Sequence, residues 1–156
     1  MACLKIIVGL IGLLSFDLSF ASDNIIGKSM CGNALVEIVG IKYHENYETH
    51  ALQSVTITIS RHNKKRVIHF NENNMRGEYF HAACIESKKK HPYIVFQNYC
   101  GGSGCRDLDN YGIIDAVSLK TLLLPSDNNR KQASKILGFE APFLYRDERT
   151  FFDKHK

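Results

Sequence analysis

The sequence predicts a mainly β protein: an antiparallel, sandwich-like domain with one short C-terminal helix and two disulfides. Three observations lead there. Val55-Thr56-Ile57-Thr58-Ile59-Ser60 alternates apolar and polar residues, mostly β-branched, as a half-buried strand does. Other short apolar runs are separated by polar, turn-forming clusters instead of recurring at helical spacing. Helix start and stop signals coincide in one stretch only, near the C-terminus.

Taken in order, residues 1–21 have the layout of a signal peptide. Lys5 supplies positive charge, residues 6–16 form an uncharged apolar run, and Ser19-Phe20-Ala21 puts small residues on either side of a phenylalanine before the cut. Cleavage after Ala21 leaves one β-rich domain over residues 22–144 and a charged, partly mobile tail over 145–156. The apolar run is too short to cross a bilayer, and no later segment reaches the roughly 18–20 apolar residues a span requires. The expected product is therefore exported, to the bacterial periplasm or beyond, without a transmembrane segment.

Within the domain, Leu35, Val39, Ile41 and Tyr43 mark a first strand. Residues 55–60 and 67–70 read as a hairpin turning at His62-Asn63-Lys64-Lys65. Residues 79–85 and 93–99 form a second antiparallel pair, joined by Ser87-Lys88-Lys89-Lys90-His91-Pro92. Residues 111–115 and 119–124 make a last hairpin. The helix falls within 127–137: Pro125-Ser126-Asp127 offers N-cap candidates, Ala133, Ile136 and Leu137 share a face, and Gly138 suits the position after the last turn.

Composition narrows the function. The 156 residues are 44% apolar and 23% charged with a net charge of +4, ordinary for one globular domain. No concentrated cationic field of the kind nucleic acid binding uses is present. Without Cys3, four cysteines remain: Cys31, Cys84, Cys100 and Cys105. In an exported domain they read as two disulfides, with three connectivities open. Cys100–Cys105 is favoured because Gly101-Gly102-Ser103-Gly104 bends tightly, which leaves Cys31–Cys84 by exclusion. A zinc site would want a second paired knuckle, which is missing. No metal or cofactor is expected.

The segment around Ser103 is the most distinctive. Three glycines and a serine clipped between two cysteines make a small stiff loop, and Arg106 and Asp107 follow as a polar rim. Such a loop serves either as a preorganised contact with a partner or simply as a disulfide-stabilised turn. Ser103 is a poor nucleophile candidate, because Cys105 stands where the G-x-S-x-G elbow carries its last glycine. The acids from Asp107 onward depart from a calcium loop at Tyr111 and at Ser118. The histidines show neither HExxH nor HxH; His69 and His81, both on expected strands, are the pair placed to face one another. Lys64-Lys65-Arg66 and Lys88-Lys89-Lys90-His91 form basic hairpin tips. No catalytic residue is assigned. A protein-binding role is favoured over a small secreted hydrolase or a purely structural envelope protein.

The signal peptide, the β pattern and the strand at 93–99 running into Gly101-Gly102-Ser103-Gly104 resemble one known class. It is the small periplasmic immunity proteins of bacterial type VI secretion systems, which neutralise peptidoglycan amidases. The resemblance covers the neighbourhood of that loop. It implies a peptidoglycan hydrolase as protein partner, with Ser103 and its glycines entering the enzyme's cleft. Cys100 and Cys105 depart from the class, whose serine loop carries no disulfide.

Overall fold

The computed structural model describes residues 24–42, 52–71, 79–99 and 110–153. The signal-peptide reading, over residues 1–21, lies outside them. The described chain forms β1 (Asn24–Cys31), β2 (Ala34–Lys42), β3 (Leu52–Arg61), β4 (Lys64–Asn71), β5 (Tyr79–Glu86), β6 (Pro92–Tyr99), β7 (Tyr111–Asp115), β8 (Thr121–Leu123), helix α1 (Arg130–Leu137), a 3-10 turn (Leu144–Arg146) and β9 (Thr150–Asp153). All strand pairs are antiparallel. One sheet has the order β1-β2-β3-β4, the other β8-β7-β6-β5-β9. The mainly β reading and the single helix are therefore borne out.

Alternation along the strands builds the layers. Val36, Ile38, Val55, Ile57 and Ile59 of the first sheet meet Phe80, Ile94, Phe96, Ile114 and Phe152 of the second in one buried cluster. The opposite face of the second sheet is buried too. Ala83, Ile85, Val95, Tyr111 and Ile113 pack under Ala133 and Leu137 of α1 and under Ala141 and Leu144. The second sheet is thus the middle of three layers, and its strands are near-continuous in burial while β2 alternates. Between paired strands, the Phe96 ring takes the space of a side chain at Gly112, where a Cβ would lie 2.0 Å from Cζ.

The cysteines add a covalent tie across the first interface. Cys31, at the end of β1, is bonded to Cys84 of β5, with Cα atoms 5.3 Å apart. This is the pairing reached by exclusion. It is one described disulfide where two were expected; Cys100 and Cys105 lie outside the described residues.

Several expectations shift. No strand was expected at 24–31, yet β1 pairs along its whole length with β2. Within the segment read as a charged tail, Thr150–Asp153 adds an edge strand to β5 and buries Phe152 completely. The last hairpin is shorter than predicted, because Leu119 takes a positive φ of 60° and belongs to the turn. Helix α1 starts later than Pro125-Ser126-Asp127 suggests. Asn129 stands at its N-cap but caps nothing with its side chain. Its Oδ1 accepts the Tyr111 N–H and its Nδ2 donates to the Tyr111 carbonyl, both at 2.7 Å. Gly138 does end the helix, left-handed at φ 79°, with its N–H on the Ser134 carbonyl at 2.9 Å.

Candidate functional site

Strands β6 and β7 are antiparallel neighbours in the middle sheet, so Tyr99 and Asn110, the described residues that flank segment 100–109, stand at one end of it. The last described contact at its base is the Asn98 N–H on the Asn110 carbonyl, 3.2 Å. The residues expected to touch a partner, Gly101, Gly102, Ser103, Gly104, Arg106 and Asp107, all lie outside the described residues. What is described is the base that carries them.

That base is aromatic and polar, with tyrosines, a histidine and buried amides where the cluster between the sheets holds phenylalanines and aliphatic residues. Tyr79 stacks on Tyr99 across β5 and β6, with centroids 5.2 Å apart, and His81 stacks on Tyr99 at 5.5 Å. His81 Nε2 and the Tyr99 hydroxyl share a hydrogen bond of 2.9 Å. Tyr145 meets Tyr99 edge-on, Phe143 lies against Tyr145, and Arg130 sits 3.8 Å over the Phe143 ring. Gln97, completely buried, accepts the Leu144 N–H at 2.6 Å. Tyr111 donates its hydroxyl proton to the Pro142 carbonyl at 2.9 Å. Asn98 Oδ1 and Asn110 Oδ1 are buried without a hydrogen-bond partner among the described residues. A concentration of buried polar groups is costly unless satisfied and marks a place where the chain does more than pack.

The opposite end of the same sheet carries a second feature. The turn between β5 and β6 is tied to the end of α1 by the Lys88 N–H on the Leu137 carbonyl, 2.9 Å. Between them opens a cavity of about 470 Å³, with Lys88, Lys89, His91, Tyr93, Lys135 and Ile136 in its wall. Beside it, His91 Nε2 stands 3.1 Å from Asp115 Oδ1. The Asp115 carboxylate also accepts the Val117 and Ser118 amides at 2.7 and 2.9 Å. Burial opposes its charge, but the Ser118 amide, His91 and the Val117 amide outweigh that and hold the carboxyl below the usual range. Burial, and then the Asp115 charge, push the Tyr93 phenol up, so it keeps its proton at neutral pH.

A pH dependence follows with a definite sign. A carboxyl depressed by folding stabilises the fold above its unfolded-state value, and the contribution disappears as pH falls through the lower native value. The urea midpoint of the wild type is expected to fall below about pH 4. Asp115→Asn is expected to lower the midpoint at pH 7 and to flatten that acid decline. A decline in the variant as steep as the wild type's would remove Asp115 from this account.

Other predicted groupings separate. His69 and His81 do not face one another: His69 is on β4 of the first sheet, bonded to Thr56 Oγ1 at 3.0 Å, while His81 is on β5 of the second. The basic tips do not form one free patch either. Arg66 is spent on the Leu119 carbonyl and the Thr121 hydroxyl, at 3.0 and 2.8 Å, and ties one sheet to the other. The His91–Asp115 pair is an acid–imidazole contact that sequence spacing could not find, since its halves lie on different strands. Ser87 beside it has its hydroxyl on the His91 amide at 3.1 Å, a turn-closing role. No cluster of three metal-ligating side chains occurs among the described residues. No helix there is long and apolar enough to cross a membrane. No family model, curated protein or solved structure matches the chain.

Proposed function

We propose that this is an exported binding protein that inhibits, or gives immunity against, a cell-envelope hydrolase. The contact is the loop closed by a Cys100–Cys105 disulfide, with Gly101, Gly102, Ser103 and Gly104 entering the enzyme's cleft and Arg106 and Asp107 at the rim. The observation that carries this reading is the foundation of the segment. It springs from two central, paired strands braced by Tyr79, His81, Tyr99 and Tyr145. A loop on a stiff base loses less freedom on binding than one on a frayed end. The Cys31–Cys84 bridge supports an oxidising compartment, in keeping with the signal-peptide layout of residues 1–21.

The test is capture from bacterial envelope extracts with the wild type and with Ser103→Arg. The variant should fold, since a loop-tip residue contributes little packing. It should lose the partner, because a long cation does not enter a cleft shaped for glycine and serine. The wild type should retain an enzyme that degrades peptidoglycan, and bound enzyme should be inactive. A partner held equally by both proteins removes the loop from the interface. Release of wall fragments by the protein alone, abolished by Ser103→Ala, would make it a hydrolase instead.

A further inference from the structure

The cavity between the β5–β6 turn and the end of α1 has a charge balance that the fold does not explain. Lys88 and Lys89 of the turn and Lys135 of α1 all line this one concavity. None of the three is ion-paired with a described carboxylate: the nearby Glu86 goes to Lys90 at 3.8 Å, and Asp115 goes to His91 and the turn amides. Like charges gathered without internal compensation favour an anion between them.

The wall is built rather than incidental. The Lys88 amide closes on the Leu137 carbonyl, and Gly138 lets the turn approach, since a Cβ there would stand 3.1 Å from that of Lys88. Tyr93 also lines the cavity, and its ring lies against His91 with centroids 4.9 Å apart. Ile136 and Leu137 make the remaining wall apolar. No arginine lines the cavity. Guanidinium forks bind carboxylate and phosphate bidentately, whereas lysines act as separate point charges that can reach a phosphate from several sides.

From this we infer that the cavity is a binding site for a phosphomonoester with a ring body, such as a sugar phosphate. Lys88, Lys89 and Lys135 take the phosphate, and Tyr93 and Ile136 take the ring. Tyr99, the described residue before segment 100–109, is at the other end of β6 from this cavity, about 24 Å along the strand at the usual rise.

The test is a titration of the full chain, followed by amide NMR at low ionic strength, with glucose 6-phosphate, inorganic phosphate and glucose. Saturable shifts are expected around residues 87–91 and 135–138 with glucose 6-phosphate, weaker binding with inorganic phosphate, and none with glucose. Lys88→Gln, Lys89→Gln and Lys135→Gln together should weaken binding at least about tenfold, by loss of charge-assisted contacts. All three side chains are on exposed residues, so the variant's remaining spectrum should stay folded. Absence of saturable shifts with glucose 6-phosphate, or a triple variant that titrates like the wild type, overturns the site. Equal affinity for inorganic phosphate overturns the seat for the ring.

Discussion

Replacing Cys31 and Cys84 together by alanine is expected to lower the unfolding free energy by about 4 kcal/mol, the loop-closure value for a bridge spanning 53 residues. The bridge ties β1 of one sheet to β5 of the other, so its loss frees the unfolded chain and also loosens the first sheet against the second. Urea unfolding of the double variant, followed by circular dichroism, measures the effect. The wild type in a thiol reductant should approach the same midpoint. A midpoint unmoved by either treatment would mean that the sheets hold together through their apolar faces alone.

Phe152→Ala is expected to cost about 3–5 kcal/mol, as for other large-to-small changes in a core. The ring is fully buried and meets Phe80 edge-on at 5.8 Å. Gly27 and Gly40 lie directly against it, and a Cβ at either would come within 3.0 Å of its atoms. Two glycines have no side chain to move into the hole, so the cavity should persist and the cost should fall in the upper part of that range. Hydrogen exchange should then show β9 and β1 opening ahead of the central strands. Equal protection of β9 in the variant and the wild type would contradict the role given to this ring.

How the strands lie was legible wherever alternation was long and local. The run from Val55 to Ser60 announces β3, and the hairpin to β4 follows from the polar residues that begin at His62-Asn63. What sequence could not show is set by distant partners. β1 reads poorly because Gly27 and Lys28 interrupt it, and Gly27 is there to admit Phe151 and Phe152 from the other end of the chain. β9 has four residues among charges, too few for a period, and exists because β5 offers an edge. The helix start was misplaced because Asn129 spends its amide on the backbone of Tyr111. At the candidate sites, the loop sequence was conspicuous but its aromatic base was not, since Tyr79, Tyr99 and Tyr145 meet only through strand pairing and the C-terminal return. The basic turn was visible in the sequence. The third lysine of the cavity, Lys135, comes from the helix and was not.

The most direct measurement is the rate at which the captured envelope hydrolase solubilises purified peptidoglycan as this protein is added. The proposed function predicts a linear fall to zero at molar equivalence. It also predicts no inhibition by Ser103→Arg, and a right-shifted curve for Cys100→Ser with Cys105→Ser, from about 1–3 kcal/mol of lost preorganisation. A rate that the wild type leaves unchanged, or that Ser103→Arg suppresses as fully as the wild type does, would contradict it.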